Sequence, residues 1–301
     1  MKVKKFKFKK IDAFAAGLSE GNPAGSIWLK SFADITRDEM QKIAKQLKGF
    51  VSEVGFICPN EDGKYTLKFY SANREVGFCG HATIAIMNEL FKSDKKLINT
   101  HTVEIVINSG VLEVENRINT EKAVFITAPS PKYMLQTPGK KKIAEGLNIN
   151  PEIIDSRLPV QIINAGLTTL IVPIISLETA LEITPDIDDL NEFCVQNSID
   201  IVLVFTGNTA SPDNDFRVRV FAATFGYLED PATGSGNSAF GYYLLKNSLW
   251  NKDTIVIEQN SSLERFNVVK LQKTQDSEGA ERVVFGGGAI KRIEGEFILT
   301  I

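Results

Sequence analysis

Two segments of the chain are apolar at almost every position. They are ATIAIMNELF, residues 82–91, and SAFGYYLL, residues 238–245. A surface helix shows a single apolar stripe, so these continuous apolar patterns predict helices that are buried along their whole length. The segment 36–49 differs, because its capping box, single apolar stripe and terminal glycine are typical of a surface helix.

Alternating or nearly alternating apolar residues predict that the rest of the chain is rich in strands. The first such run lies at the N-terminus, where Phe6 and Phe8 alternate with lysines, and residues 102–117 predict a hairpin that turns at 108–110. The other predicted strands are 26–29, 50–58, 65–71, 160–164, 170–172, 201–205, 216–222, 254–258, 266–271 and two near the C-terminus, the last of them at about 293–301. Further surface helices are predicted at 140–147 and 187–197.

A glycine-rich turn precedes each of the two apolar helices, and the two pairs of turn and helix lie about half a chain apart. The turns are GFCGH and DPATGSGN. This spacing indicates an internal duplication, in which two similar lobes each curl a largely antiparallel sheet around a central buried helix. The predicted fold class is therefore α+β, with a first lobe at 1–118 and a second at 119–290.

Composition and charge narrow the function to small-molecule chemistry. The chain has 301 residues, 43% of them hydrophobic, and a net charge of -3, which gives no bulk attraction to nucleic acid. Its three cysteines, Cys58, Cys79 and Cys194, form no CxxC pair, which argues against a disulfide framework or a structural zinc site. No apolar run approaches the length of a membrane helix. We expect a cytoplasmic protein with neither a nucleic acid nor a membrane as partner.

The starts of the two buried helices are the candidate binding sites. The first turn of a helix has unpaired amide N–H groups and a partial positive charge, so it favours an anion, and glycines allow the anion to approach closely. If the lobes are duplicates, both helix starts face one cleft. The polar residues of the two turns then line a single site for a small carboxylate.

Glu53 and His81 are the residues best suited to proton transfer. His81 begins a buried helix, whereas His101, the other histidine, precedes a strand and is expected to be exposed. Glu53 lies in a strand among apolar neighbours, and partial burial suits a carboxyl group to proton transfer near neutral pH. The alternative roles are structural: a solvated face for Glu53, a cap or core hydrogen bond for His81, and a helix N-cap for Asp230.

Two other chemistries fit the sequence poorly. A serine hydrolase needs the elbow G-x-S-x-G, but TGSGN has Thr233 in place of the first glycine. The segment GSGNSA, residues 234–239, matches a loose dinucleotide fingerprint, yet Asp230 and Pro231 separate it from the preceding strand and the βαβ rhythm is missing. We expect no nicotinamide cofactor.

Six motifs together resemble one known family. DAFAAGLSEGNPAG, SEVGF, FCGHATIA, GLTTLIV, EDPATGSGN and EGEFIL occur in the order and spacing of the phenazine-biosynthesis isomerase (PhzF-like) family, which is related to diaminopimelate epimerase. The resemblance runs from about Asp12 to the C-terminus. It implies two barrel-like lobes around central helices, an active site between them, a last strand at about 291–301 that returns to the first lobe, and a homodimer.

The resemblance also implies roles for particular residues. Glu53 falls on the family's acid/base glutamate and moves a proton between carbons of a small carboxylate substrate. His81 and Asp230 assist it as catalytic residues. The implied substrate-binding residues are Asn22, Gly80, Thr233, Gly234, Ser235 and Gly236. No cofactor and no metal are implied.

The sequence departs from the family pattern at several positions. Val54 replaces a threonine after the glutamate, and Tyr70 and Ser71 replace the Thr-Pro of a Phe-Thr-Pro motif, so we expect a different pocket wall in the first lobe. Related epimerases use one cysteine from each lobe. Cys79 fits the first position, whereas Pro231 is expected at the second, so two-thiol racemisation is disfavoured and Cys79 is interpreted as a small core residue. These departures leave open an alternative function, a catalytically silent protein of the same fold that binds a metabolite or acts as a scaffold.

Overall fold

The computed structural model describes residues 3–301, which form eighteen strands and seven α-helices. The strands are β1 (Val3–Ala13), β2 (Asn22–Trp28), β3 (Glu53–Pro59), β4 (Tyr65–Ser71), β5 (Glu75–Val76), β6 (Thr102–Ile107), β7 (Gly110–Arg117), β8 (Ala123–Thr127), β9 (Lys132–Tyr133), β10 (Gln161–Asn164), β11 (Thr168–Pro173), β12 (Ile201–Thr206), β13 (Phe216–Phe221), β14 (Glu229–Asp230), β15 (Thr254–Gln259), β16 (Asn267–Gln275), β17 (Glu281–Gly287) and β18 (Ala289–Thr300). The helices are α1 (Arg37–Gln46), α2 (Gly80–Ser93), α3 (Ile118–Glu121), α4 (Lys140–Gly146), α5 (Leu177–Glu182), α6 (Ile187–Gln196) and α7 (Gly234–Lys246).

The chain divides into two compact units. The described part of unit 1 comprises residues 3–16, Glu20–Ile126 and Gly286–Ile301, and unit 2 comprises Gly17–Ser19 and Thr127–Phe285. The predicted lobe boundary at 118/119 precedes β8, whereas this division falls within it. The predicted first lobe also contains residues 1 and 2, which lie outside the described residues.

In unit 1, a curled sheet surrounds α2. Strand β1 pairs with β18 and β2, and the pairings from β1 to β7 alternate between antiparallel and parallel: β1–β2 antiparallel, β2–β3 parallel, β3–β4 antiparallel, β4–β6 parallel and β6–β7 antiparallel. The two-residue β5 is added to β4. Helix α2 packs on β1, β2, β3 and β18. A separate apolar cluster lies on the other side of the sheet, where α1 contributes Met40, Ile43 and Ala44.

Unit 2 repeats this order of pairings. Strands β10–β11 are antiparallel, β11–β12 parallel, β12–β13 antiparallel, β13–β15 parallel and β15–β16 antiparallel, and the two-residue β14 is added to β13. Helix α7 packs on β10, β11, β12 and β16. The predicted internal duplication is therefore visible in the topology, and the α+β class with its two central helices is confirmed.

Most predicted elements are present, with local differences. The capping box at Thr36 and Glu39 is formed, and Cys194 on α6 is buried in the core of unit 2. The central helices begin earlier than predicted, at Gly80 and Gly234, so the glycines form their first turns instead of preceding them. The sequence analysis missed α5, a short helix that Ser176 caps. Within residues 3–301, no helix combines the length and the apolar character that a membrane span requires.

Candidate active site

Strand β3 places Glu53 beside α2. Its residues alternate between two faces, and Val54 and Phe56 point into the cluster under α1. The opposite face carries Glu53 and Gly55, and a Cβ on Gly55 would lie only 2.2 Å from the Ile86 side chain of α2. Because α2 approaches this face so closely, the Glu53 side chain at the start of the strand reaches the first turn of the helix.

The start of α2 brings two further reactive groups to Glu53. Cys79 is the N-cap residue, it makes no side-chain capping bond, and His81 follows in the first turn. The Nε2 atom of His81 lies 3.2 Å from Oε2 of Glu53. The Sγ atom of Cys79 lies 3.9 Å from the same oxygen and 3.5 Å from Nδ1 of His81. Cys79 is buried, as its interpretation as a small buried residue required, and its thiol also contacts both candidates for proton transfer.

These three side chains are largely, but not fully, enclosed. The side chain of Glu53 is 17% exposed, that of His81 is 11% exposed, and Cys79 is buried. Their ligand atoms all lie within 4.8 Å of one another, and they include a carboxylate oxygen, an imidazole nitrogen and a sulfur. The arrangement can move a proton, bind an anion at the helix start, or hold a metal ion.

The electrostatics of this cluster favour a protonated imidazole. Burial lowers the pKa of His81, but contacts with Cys79 and Glu53 raise it, and the net pKa lies well above its ordinary value. Burial raises the pKa of the Cys79 thiol against the opposing effect of His81. Because an uncharged thiol contributes little to stabilising the imidazolium near neutral pH, the Glu53 carboxylate is its main partner.

The corresponding turn of unit 2 carries an acid, Asp230, and neutral polar groups in a buried hydrogen-bond network. Thr233 is the N-cap residue of α7, and its Oγ1 donates a hydrogen bond of 2.6 Å to Oδ2 of Asp230. Gln259 is fully buried at the end of β15. It accepts from the backbone N–H of Thr233 and donates to the backbone carbonyl of Asp230, at 3.0 and 2.9 Å. Asn237 donates to Oε1 of Gln259 at 2.6 Å.

Sequence analysis missed Gln259 and Asn237. Asn237 lies within the motif GSGN, but Gln259 is distant in sequence and ends an apolar strand. A polar residue at the end of a buried strand is a weak signal, because only the tertiary contact with the turn gives it a role. Both side chains hold the turn that carries Asp230 in place.

The duplication corrects one expectation about this turn. In each unit three residues separate the two-residue strand from the central helix, so Cys79 and Thr233 occupy equivalent N-cap positions. The expectation that Pro231 is the counterpart of Cys79 was therefore wrong. The second position still has no thiol. By the same correspondence, Ser235 is the counterpart of His81, and Asp230 is that of Val76.

The remaining predicted site residues lie on the same elements. Gly80, Gly234, Ser235 and Gly236 belong to the first turns of the two central helices, and Ser235 is only partly buried. Asn22 is fully buried at the start of β2, where its Oδ1 accepts a hydrogen bond of 3.0 Å from the Ser52 hydroxyl. Asn22 therefore supports the residue that precedes Glu53.

Two of the departures from the family motifs lie away from Glu53. Val54 and Tyr70 are register partners across β3 and β4, and both are buried in the cluster under α1. Only Ser71 is paired with Glu53 itself. The expected change in the pocket wall of unit 1 is thus restricted to Ser71, since the other two side chains pack on the opposite face of the sheet.

Comparison with known sequences gives matches over nearly the whole chain. The family model for phenazine biosynthesis-like proteins, PhzC-PhzF, matches residues 11–295. The uncharacterized isomerase YfhB of Bacillus subtilis is 30% identical over 279 residues, which cover 91% of this chain and 92% of that protein. The uncharacterized isomerase YddE of Escherichia coli K12 is 23% identical over 304 residues, which cover 97% and 98%.

Comparison with solved structures shows the same fold. A PhzF-family phenazine biosynthesis protein of Bacillus anthracis has a TM-score of 0.86 at 22% identity, covering 99% of this chain and 100% of that one. A hydroxyproline epimerase of Agrobacterium vitis has a TM-score of 0.61 at 12% identity, covering 99% and 93%. The chain therefore belongs to the PhzC-PhzF family of phenazine biosynthesis-like proteins, and it is an isomerase.

Proposed function

We propose that this isomerase works without a cofactor and moves a proton between carbon atoms of a small metabolite that carries a carboxylate. Glu53 is the acid/base residue. The observation that carries the proposal is the 3.2 Å contact between its carboxylate and His81 at the start of a buried helix.

The proposed reaction uses one carboxyl group twice. Glu53 first accepts a proton from a substrate carbon, and the electron pair of the broken C–H bond is delocalised into the substrate. Glu53 then returns the proton to a different carbon, so the enzyme ends the cycle in its starting state. A positioned acid/base group of this kind typically contributes about 10²- to 10⁴-fold to the rate.

The substrate's negative charge is proposed to lie at the positive end of α2. The dipole of a 14-residue helix favours an anion at its N-terminus, and the His81 imidazolium adds a full positive charge in the first turn. The same groups stabilise the charge that develops when Glu53 removes the proton.

In unit 2, Asp230 and Ser235 are proposed to bind the substrate and assist. The Thr233 hydroxyl donates a hydrogen bond to one oxygen of Asp230 and so fixes the orientation of this carboxyl group. The expectations that the two turns line one site, and that the protein is a homodimer, stay predictions.

The test is proton exchange with the solvent. The protein is incubated in D2O with a panel of small unsaturated or cyclic amino and hydroxy acids, and deuterium incorporation is followed by mass spectrometry. The panel includes trans-4-hydroxy-L-proline, the ligand bound to the hydroxyproline epimerase of similar fold.

The decisive comparison is between wild type, Glu53→Gln and a matched control. Glu104→Gln is a suitable control, because Glu104 is also a strand glutamate of unit 1 but is about half exposed. Incorporation that depends on Glu53 and not on Glu104 supports the proposal. Incorporation that survives Glu53→Gln unchanged would refute it.

A further inference from the structure

The cluster at the start of α2 brings three potential metal ligands together. Oε2 of Glu53 lies 3.2 Å from Nε2 of His81 and 3.9 Å from Sγ of Cys79. The third distance, from Sγ of Cys79 to Nε2 of His81, is also 3.9 Å. Three ligands of a tetrahedral zinc ion, with bonds of about 2.0–2.3 Å, lie roughly 3.3–3.8 Å apart. The three distances match one face of such a tetrahedron to within a few tenths of an ångström, but Sγ lies closer to Nδ1, at 3.5 Å, than to Nε2. The His81 ring must therefore rotate before its Nε2 lone pair can face an ion held by Sγ.

The chemistry of the three ligands selects a particular class of metal. Thiolate and imidazole prefer zinc and similar transition metals, whereas magnesium and calcium need sites made largely of oxygen. Three protein ligands leave the fourth position of a tetrahedral ion open to water. The partial exposure of Glu53 and His81 gives an ion a way in.

We propose that Glu53, Cys79 and His81 form a zinc-binding site, and that bound Zn²⁺ switches the isomerase off. The ion displaces the thiol proton of Cys79 and the Nε2 proton of the His81 imidazolium to solvent, and binds Sγ, Nε2 and Oε2. It takes no part in the proposed reaction. Instead, the bound metal withdraws electron density from the Glu53 carboxylate, which makes the group a weaker base toward a proton on carbon. The inhibitory half of this inference rests on the proposed function, and the binding half does not.

Binding is tested with purified chelator-treated protein and Co²⁺, which reports a thiolate ligand by a charge-transfer band in the near ultraviolet. We expect one Co²⁺ per chain, displaced by Zn²⁺ and not by Mg²⁺ or Ca²⁺. Glu53→Gln, Cys79→Ser and His81→Gln should each weaken binding by more than about 100-fold, since loss of an outer-shell partner alone typically costs about 10- to 100-fold.

The chain supplies its own controls. His101 is the only other histidine, and Cys58 is a buried cysteine of unit 1 whose Sγ bonds to the Lys30 carbonyl, as a serine hydroxyl also can. His101→Gln and Cys58→Ser should bind Co²⁺ like wild type. Far-ultraviolet circular dichroism of every variant separates a lost ligand from a lost fold.

The outcomes are distinguishable. Absence of a thiolate band in wild type, or a band that survives Cys79→Ser in folded protein, overturns the zinc site whether or not the isomerase proposal holds. The zinc site is also overturned if His101→Gln and Cys58→Ser weaken Co²⁺ binding as much as the ligand substitutions do. If Zn²⁺ binds as proposed but does not reduce Glu53-dependent deuterium exchange at least tenfold, the inhibitory role is wrong. Recovery of exchange on adding a chelator supports it.

Discussion

The two units have the same order of strand pairings and a buried helix that starts in the same way, yet their helix starts carry different chemistry. In unit 1, Glu53 begins β3 and lies beside a cysteine and a histidine. The equivalent first residue of β12 is Ile201, whose side chain packs against the first turn of α7. In unit 2 the acid is Asp230, at a position where unit 1 has Val76.

The difference shows how a duplicated scaffold separates two tasks. The turn of unit 1 holds ionisable groups in mutual contact and partly open to solvent. The turn of unit 2 holds an acid that accepts a hydrogen bond from the Thr233 hydroxyl, and the buried Gln259 bonds to the backbone of Asp230 and Thr233. We therefore expect substitutions in the first turn to change chemistry more than stability, and substitutions in the second to do the reverse.

The largest expected effect is on catalysis in unit 1. Glu53→Gln should lower the rate of proton transfer by about 10²- to 10⁴-fold, because the amide cannot act as a base. The free energy of unfolding should fall only by the contribution of the contact with His81, since the substitution leaves the packing unchanged. Single-turnover deuterium exchange and urea unfolding measure the two effects. A large loss of stability with an unchanged rate of deuterium exchange would show that Glu53 has a structural role and is not the acid/base residue.

In unit 2, Gln259→Leu should mainly reduce stability. The substitution leaves the Thr233 N–H, the Asp230 carbonyl and the Asn237 amide without their buried partner, and each such loss costs about 1–3 kcal/mol. We expect the free energy of unfolding, measured in urea, to fall by about 3 kcal/mol or more. A fall below about 1 kcal/mol would mean that the network does not hold the turn.

A smaller loss is expected from Gly234→Ala. A Cβ at this position would lie 2.5 Å from a ring carbon of Phe285, which is buried, and such overpacking costs about 1–3 kcal/mol. Gly236→Ala is the matched control in the same helical turn, where the nearest contact would be 3.2 Å. The melting temperature measured by thermal unfolding should be higher for Gly236→Ala than for Gly234→Ala. Equal values would show that the close approach of the helix start is not required.

The histidine of unit 1 should make stability depend on pH. Its pKa is raised in the folded state, so the stability that His81 contributes is fully present below the unfolded pKa of about 6.5. That contribution is lost as the pH rises through the folded pKa. Urea unfolding from pH 6 upward should show that the difference in the free energy of unfolding between wild type and His81→Gln becomes smaller as the pH rises. A difference that grows would contradict the charge arrangement.

The smallest effect should come from Val54→Thr, which restores the residue of the family motif. Val54 points into the cluster under α1, so the exchange rate should stay within roughly twofold, about 0.4 kcal/mol in the activation free energy. Stability should fall by about 1 kcal/mol or more because a hydroxyl is buried. A change in substrate preference would show that this face of β3 does influence the site.

Much of the fold was predictable from local patterns. Continuous apolar runs identified α2 and α7, alternation identified most strands, and the capping box identified α1, because burial and capping leave a local signature in sequence. The strands β5, β8, β9 and β14 and the short helices α3 and α5 were missed. They are too short for a periodic pattern, and their pairing or packing partners lie elsewhere in the chain.

For the candidate site, the sequence by itself determined which residue types are available: two histidines, a glutamate among apolar neighbours, and two glycine-rich turns before buried helices. Only the tertiary structure decided which of them meet. It brought Cys79 and His81 to Glu53, made Gln259 the partner of the second turn, and placed Val54 on the far face of β3. These contacts depend on register and on how closely a helix approaches a sheet, and side chains distant in the sequence settle both.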